Sequence, residues 1–302
     1  MKFIVTGSLG HISKPLATSL VEKGHAVTVI SSQGAKQKEI EALGAVAAIG
    51  SLEDLSFLTQ TFTGADAVYS MVPPNNYFDH SLDLIAYYRG LGSNYANAIA
   101  QSGVKRLVHL STIGADLEKG SGILLGAHHV EDILNELSPE IGVTFMRPTS
   151  FYYNLYSYVD MIKSAGVIAA NYGGDDMVPW VSPFDIAAAV AEELLTPFKG
   201  RKIRYVASEE VSCNETAAVL GAAIGKPGLK WNTISNEQMQ TALKSAGMNP
   251  EIAEGLVEMY EGLHTGNLLA DYYHNKPAVM GKTKLKDFAK EFAGVYHKTE
   301  NS

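Results

Sequence analysis

The first thirty residues alternate between short apolar runs and one helically spaced segment. Residues 3–5 form a compact apolar run that predicts a buried strand. Apolar positions then repeat at helical spacing over residues 12–21, and residues 26–30 form a second, largely β-branched run. Gly7 and Gly10 lie between the first run and the helical segment. The order strand, glycine turn, helix, strand indicates the start of a parallel sheet.

The same alternation continues along most of the chain. Apolar runs predict further strands at residues 45–49, 65–72, 104–110, 143–146 and 202–206. Helical spacing predicts helices at residues 36–43, 53–61, 79–101 and 124–137, and another that begins within residues 180–186 and ends near residue 196. From residue 211 onward we expect only helices, at residues 214–224, 236–246, 250–262 and 284–292.

This pattern predicts an α/β fold with a doubly wound parallel sheet and right-handed crossovers. We expect residues 1–150 to form a dinucleotide-binding domain, to which the chain returns around residues 180–206. Residues 151–302 are expected to form a smaller, mostly helical lobe that binds substrate. Because no linker rich in Gly, Ser or Pro separates the two parts, we expect them to pack closely.

The turn after the first strand has the features of a phosphate-binding site. Gly7 permits a tight turn, and Gly10 lets the backbone approach a diphosphate closely. The free N–H groups at the helix start would hold the phosphates. The predicted cofactor residues here are Thr6, Gly7, Leu9, Gly10, His11 and Ile12. Ser13 occupies the third position of the fingerprint, where glycine or alanine is usual, and a turn that needs glycine for geometry alone is the alternative.

The end of the second strand bears on which coenzyme is bound. An NAD site usually has Asp or Glu there to accept from the ribose 2′-hydroxyl, whereas this chain has Ser31 and Ser32, followed by Lys36. These residues favour NADP over NAD, and a merely polar loop is the alternative. Because ligands bind at the carboxyl ends of the strands, the cofactor is also expected to contact Met71, Val72 and Pro73.

Composition narrows the class of protein. The formal net charge is −8 and no run of Lys or Arg occurs, which argues against nucleic-acid binding. No apolar run reaches membrane-spanning length, and no signal peptide is recognised, since Lys2 leads directly into a strand. The single cysteine, Cys213, fits a reducing compartment. We therefore expect a cytoplasmic protein, and a homodimer is compatible with the sequence.

Aromatic residues crowd into residues 151–158, just after the last strand of the first domain. We take Tyr152, Tyr153 and Asn154 as candidate substrate residues, because aromatic side chains can form a wall for a flat ligand. A packed joint between two lobes explains the same residues equally well.

Several blocks together resemble the NmrA-like family, or atypical short-chain dehydrogenase/reductases. They lie at residues 6–13, 64–69, 103–115, 129–134, 147–148 with Asn154, and 178–187. The resemblance implies a Rossmann-type domain with a small C-terminal substrate lobe and an NADP cofactor. The family includes NADPH-dependent quinone reductases, other reductases of aromatic compounds, and redox-sensing regulators without turnover.

One departure from the family concerns its Tyr-x-x-x-Lys pair. The lysine position falls on His128 and the tyrosine position on Leu124, while Ser111 or Thr112 takes the place of the active-site serine. Ser111 and His128 are thus the candidate catalytic residues, and both are also expected to contact the cofactor. The alternative is that His128 and His129 only orient the cofactor or pack on the helix.

Without that pair, the basicity of the reduced acceptor determines which acceptors the site can reduce. Reduction of a ketone produces an alkoxide, which needs a positioned acid, whereas reduction of a quinone produces an anion whose conjugate acid has a pKa of roughly 10, like tyrosine. We therefore expect hydride transfer to a quinone-like or other aromatic acceptor. The alternative is a non-enzymatic NADP sensor that acts through a protein partner. No metal site is predicted, since His128, His129 and Glu131 lack a metal-binding signature.

Overall fold

The computed structural model describes residues 1–298, and its strands form three sheets. The strands are β1 (Lys2–Val5), β2 (Ala26–Ser31), β3 (Val46–Ile49), β4 (Ala67–Met71), β5 (Arg106–Leu110), β6 (Gly142–Pro148), β7 (Ser150–Phe151), β8 (Ile168–Ala170), β9 (Met177–Val181), β10 (Arg201–Val206), β11 (Glu209–Ser212) and β12 (Trp231–Thr233).

The helices occupy most of the remaining chain. They are α1 (Ser13–Glu22), α2 (Gln37–Ala42), α3 (Leu55–Phe62), α4 (Leu84–Ser102), α5 (Leu125–Asn135), α6 (Val159–Ala165), α7 (Pro183–Leu195), α8 (Cys213–Ala223), α9 (Asn236–Ser245), α10 (Pro250–His264), α11 (Ala270–His274) and α12 (Leu285–Lys298). None of them, within residues 1–298, combines the length and apolar character needed to span a membrane.

Seven strands form the central sheet in the order β3-β2-β1-β4-β5-β6-β10, and every neighbouring pair is parallel. Helices α1 and α7 pack on one face, and helices α3, α4 and α5 pack on the other. Burial on both faces explains why the central strands read as nearly continuous apolar runs. The prediction of a Rossmann-type, doubly wound α/β fold is confirmed.

Helix α4 begins later than the predicted residue 79. Asp83 caps it, with Oδ1 accepting from the amide of Ala86 at 2.8 Å, and residues 75–82 form a loop instead. The glycines that interrupt the helical pattern lie inside α4. A Cβ on Gly92 would come within 3.1 Å of Val130, so this glycine permits the close approach of α5. Local sequence therefore misplaces the start, and tertiary packing keeps the helix continuous.

The expectation of helices alone after residue 211 is wrong. Strand β11 pairs with β9, and β12 pairs with β8, in two small sheets outside the central one. These strands have three to five residues, and their partners lie tens of residues away in the chain. Such short strands carry little periodic signal and are stabilised by pairing with distant segments. Trp231 of β12 is buried in the same core as Trp180 of β9.

A third apolar core lies between the central sheet and the C-terminal helices. Its aromatic side chains stack in series: Tyr152 against Phe288 at 5.3 Å between ring centroids, and Tyr156 against Phe292 at 5.9 Å. Tyr152 and Phe292 are fully or almost fully buried. Most of the aromatic crowd in residues 151–158 therefore forms the packed joint that was the alternative to a substrate wall.

A buried histidine in the centre of the sheet gives the fold a pH dependence. His109 of β5 shares a hydrogen bond of 2.8 Å with Ser70 of β4, and burial lowers the pKa of His109 to about 3. The unfolded chain binds a proton near pH 6.5, so stability is complete above that pH and is lost as the pH falls towards 3. We expect the free energy of unfolding to fall by about 2 kcal/mol between pH 7.5 and pH 5 through this residue alone.

Denaturant unfolding of the native chain and the His109→Asn variant at both pH values tests this expectation. The variant is less stable throughout, but its loss between pH 7.5 and pH 5 should be smaller by about 2 kcal/mol. Equal losses in the two proteins would show that His109 does not carry the effect.

Candidate active site

The turn between β1 and α1 has a strained, tightly closed backbone. Gly7 has φ of +84° and Ser8 has φ of +54°, in the left-handed region that glycine tolerates best. The amide of Ser8 donates to the carbonyl of Ile30 at 3.0 Å, and the amide of Gly10 donates to the carbonyl of Gly7 at 3.1 Å. These bonds hold the turn against the end of β2.

The start of α1 presents unused donors beyond this turn. Within residues 1–298, no hydrogen bond engages the N–H groups of Leu9, His11 or Ile12, and no side chain caps the helix. Gly10 is exposed, and the nearest atom to a Cβ placed on it is the carbonyl oxygen of Gly7 at 3.1 Å. Free N–H groups, the helix dipole and an open approach together fit an anion such as a diphosphate.

Ser13, the departure from the fingerprint, has a structural role in this turn. Its hydroxyl donates to the carbonyl of Thr6 at 2.7 Å, while the hydroxyl of Thr6 accepts from the amide of Met71 at 3.0 Å. A Cβ on Gly7 would lie 2.6 Å from the Ser13 oxygen. The serine therefore joins α1 to the end of β1, and it makes glycine obligatory at position 7.

Serines and lysines surround the end of β2, as the sequence predicts. Ser31 is buried and accepts from the hydroxyl of Ser8 at 2.9 Å, and Ser32 is exposed beside it. Lys36 lies 3.0 Å from Glu39, and Lys14 of α1 lies 3.1 Å from the other oxygen of the same carboxylate. The two ammonium groups converge here, and no acidic residue terminates the strand.

The end of β4 forms the next part of the same edge. Tyr95 donates to the carbonyl of Met71 at 2.7 Å, and Tyr87 donates to the carbonyl of Pro73 at 3.3 Å. Met71, Val72 and Pro73 are half-buried. These hydrogen bonds from α4 fix an apolar segment directly beside the glycine turn, since a Cβ on Gly7 would lie 3.1 Å from the Met71 sulfur.

Of the three candidate substrate residues, Tyr153 lies at this edge. Its ring stacks on His11 at 4.9 Å between centroids, so it covers one side of the glycine turn. Burial and the neighbouring Tyr77 raise the pKa of Tyr153 to about 12, and its hydroxyl therefore stays protonated. Tyr152 instead donates to Glu209 at 2.7 Å within the packed joint, and the Asn154 side chain is exposed.

Ser111, which follows β5, belongs to a buried charged network. Its hydroxyl donates to Glu131 Oε1 at 2.5 Å, and the same carboxylate accepts two bonds from Arg147, at 3.0 Å and 2.6 Å. Arg147 also contacts Asp271 of α11 at 3.0 Å. Burial by itself lowers the pKa of Arg147, but hydrogen bonds and charge from Glu131 raise it above its usual range. The network thus ties the loop after β5 to β6 and to the C-terminal helices.

The ends of β1, β2, β4 and β5 thus meet at one edge of the central sheet. Comparison with known proteins then identifies the family. A model described as the NmrA-like family matches residues 1–275. The chain belongs to the NmrA-like family. It is 26% identical over 296 residues to a NAD(P)H azoreductase of Xenophilus azovorans, covering 97% of this chain and 98% of that protein.

Two solved structures share the fold of this NmrA-like chain. An NADPH-dependent quinone oxidoreductase of Escherichia coli, complexed with NADPH, has a TM-score of 0.79 at 21% identity, covering 96% of this chain and 99% of that one. A triphenylmethane reductase of Citrobacter, complexed with NADP(H), has a TM-score of 0.76 at 18% identity, covering 97% and 100%. The predicted family is confirmed, and the fold extends over almost the entire chain.

Leu124 and His128 are the residues that the sequence analysis assigns to the positions of the Tyr-x-x-x-Lys pair. Leu124 packs against the apolar core of the C-terminal lobe and offers no hydroxyl. His128 Nδ1 lies 2.8 Å from the carbonyl oxygen of Ala115, and its Nε2 lies 3.3 Å from Asp132. His128 thus holds the loop that follows Ser111. The hydroxyl of Thr112, which is half-buried, lies in that same loop.

Sequence reasoning missed two residues at this edge of the NmrA-like fold. Lys14 directly follows Ser13 on the first turn of α1, so the sequence could have identified it. Only the lysines after β2 entered the prediction. Tyr77, which lies near enough to Tyr153 to contribute to its raised pKa, falls between the predicted strand and helix, and no periodic pattern identifies it.

Proposed function

We propose that this NAD(P)H-dependent oxidoreductase of the NmrA-like family reduces a quinone-like or other aromatic acceptor, with NADPH as its preferred coenzyme. The relatives support this proposal, since they are named as reductases that use NAD(P)H. The single observation that carries it is the combination of a free helix N-terminus at α1 with serines, and no Asp or Glu, at the last position of β2 and directly after it.

Residues of the first half of the chain would hold the coenzyme. The N–H groups of Leu9, His11 and Ile12 would bind the diphosphate. The hydroxyls at Ser31 and Ser32, with the ammonium groups of Lys14 and Lys36, would meet the ribose 2′-phosphate. Met71, Val72 and Pro73 would form an apolar contact beside Thr6 and Gly7. The bound nicotinamide supplies a hydride, and the protein supplies position.

The acceptor would lie against Tyr153, whose ring covers the glycine turn. Because the pKa of this hydroxyl is about 12, it stays protonated at any physiological pH and can donate a hydrogen bond to an acceptor oxygen. Reduction of a quinone produces an anion whose conjugate acid has a pKa of roughly 10. Such a weak base needs no stronger proton donor than this hydroxyl. Positioning then supplies most of the catalysis.

We keep Ser111 and His128 in the proposed site as residues that hold the loop after β5. Their hydrogen-bonding groups are engaged with Glu131 and with the carbonyl of Ala115. Tyr152 and Asn154 are left out of the proposed acceptor contact, since one packs in the joint and the other is exposed. Residues 1–150, with the segment returning around 180–206, would bind the nucleotide, and the other described residues, up to 298, would form the substrate lobe, while residues 299–302 of the predicted lobe lie outside the described residues.

One assay tests both the reaction and the coenzyme. The protein is mixed with NADPH or NADH and a panel of quinones and azo dyes, and the absorbance of the reduced nicotinamide is followed. We expect oxidation of NADPH by at least one quinone, and binding of NADPH about tenfold tighter than NADH, because charge-assisted bonds to the 2′-phosphate contribute about 1.5 kcal/mol or more.

Three outcomes would count against parts of this proposal. Equal affinity for the two coenzymes contradicts the 2′-phosphate site. Tight binding without oxidation across the panel favours the sensor over the enzyme. No binding of either coenzyme by calorimetry removes the oxidoreductase assignment altogether.

A further inference from the structure

Three side chains of α5 that could hold a metal ion form a cluster, in which two are half-buried and one is exposed. His128, His129 and Asp132 each offer one ligand atom, and these atoms lie within 4.8 Å of one another. Glu131 does not take part, because Ser111 and Arg147 already occupy its carboxylate. The cluster adjoins the proposed active site and shares His128 with it, whereas His129 and Asp132 lie outside that site.

The hydrogen bond of His128 fixes which of its nitrogens faces the cluster. A carbonyl oxygen can only accept, so the Nδ1 atom that lies 2.8 Å from Ala115 must carry a proton. In the neutral ring Nε2 then presents a lone pair, and it faces Asp132 Oδ2 at 3.3 Å. A ring nitrogen and a carboxylate oxygen that face each other at this distance can both bind one cation. A backbone carbonyl on the far nitrogen is also the usual support of a metal-binding histidine.

The distance between His128 Nε2 and Asp132 Oδ2 fits a tetrahedral Zn²⁺ ion. Tetrahedral Zn²⁺ with bonds of about 2.0–2.1 Å to N and O holds its ligand atoms about 3.3 Å apart. This value matches the observed separation of His128 Nε2 and Asp132 Oδ2. His129 is half-buried, and its ligand atom already lies within 4.8 Å of the other two, so a small rotation of its ring would bring it closer to that spacing. Arg89 of α4 lies near His129, but it is exposed and can turn into solvent.

We propose that His128, His129 and Asp132 form a site for a divalent transition metal, with Zn²⁺ as the ion that fits the geometry, and with water in the fourth position. The bound ion would lie between His128 Nε2 and Asp132 Oδ2. Because His128 also holds Ala115, the ion would fix α5 to the loop after β5.

Calorimetry with Zn²⁺ alone tests the site on chelator-treated protein without nucleotide. We expect one Zn²⁺ per chain with a Kd in the micromolar range or tighter, and a higher melting temperature when Zn²⁺ is present. Asp132→Asn is the cleanest variant, since the Asp132 side chain is 61% exposed and His128 is its only polar contact among residues 1–298. It should weaken binding at least tenfold and abolish the thermal shift. His129→Asn should do the same.

His264→Asn provides the matched control. His264 and Asp176 form another histidine–carboxylate contact, at 2.8 Å, and no second histidine joins it in a cluster of ligands within residues 1–298. This variant should bind Zn²⁺ as the native chain does. Unchanged binding in Asp132→Asn, equal weakening in His264→Asn, or no binding below a Kd of about 100 μM would each overturn the proposal. None of these readings depends on the proposed reductase activity.

Discussion

Replacing Gly10 with leucine should abolish the binding of NADPH and NADH while the chain stays folded. The glycine is exposed at the start of α1, next to the unused N–H groups of Leu9 and His11. A leucine side chain there would occupy the space through which a diphosphate reaches those groups. We expect the Kd for NADPH to rise at least 100-fold, which corresponds to about 2.7 kcal/mol of lost binding energy, as measured by calorimetry.

The fold should tolerate this change. Gly10 does not have a positive φ, and a Cβ would meet no side chain, only the carbonyl oxygen of Gly7 at 3.1 Å. Gly228→Leu is the matched control, since Gly228 is also exposed, has no atom within 4 Å of a Cβ, and lies in the C-terminal part of the chain. Both variants should unfold within about 1 kcal/mol of the native chain. Near-native affinity in Gly10→Leu would refute the phosphate site.

Gly7 gives the contrasting case and shows why the two glycines differ. Its φ of +84° strains any other residue, and a Cβ would collide with Ser13 and crowd Met71. A substitution there would disturb the fold and the site together, and it would not distinguish them. The sequence motif treats both positions alike, whereas the structure assigns one to backbone geometry and the other to ligand access.

The central sheet was predictable because the local sequence pattern identifies its strands. Strands β1, β2, β4, β5 and β6 are apolar runs buried on both faces, and the glycines that follow β1 mark the turn to α1. The small sheets were not predictable, because strands such as Trp231–Thr233 depend on partners that only the folded chain supplies.

The candidate site was predictable where it depends on backbone and not where it depends on distant side chains. The sequence alone identified the glycine turn and the strand ends, since their order determines that they meet at one edge. It did not separate Tyr153, which stacks on His11, from Tyr152, which points into the joint. Nor did it show that Glu131 and Arg147 enclose Ser111, because those residues converge from α5, β6 and the loop after β5.

That buried network carries the second large effect that we expect. Arg147→Met should lower the free energy of unfolding by about 3–5 kcal/mol, because it leaves the Glu131 carboxylate buried without its cation. The side chains of Arg147 and Glu131 are 4% and 6% exposed, so water cannot replace the lost bonds. Asp271 would also lose its 3.0 Å contact, which loosens α11 from β6. Denaturant unfolding measures the loss.

Two further variants separate the buried charge from other causes. Arg147→Met combined with Glu131→Gln should recover at least 1 kcal/mol relative to Arg147→Met alone, because the glutamine is neutral and can still accept from Ser111. Lys199→Met breaks an exposed pair with Glu140, whose side chains are 75% and 67% exposed, and it should leave the free energy of unfolding nearly unchanged, because water replaces the lost contact. If Arg147→Met costs no more than that surface variant, the network does not stabilise the joint between the central sheet and the C-terminal helices, and Ser111 must be held by other contacts.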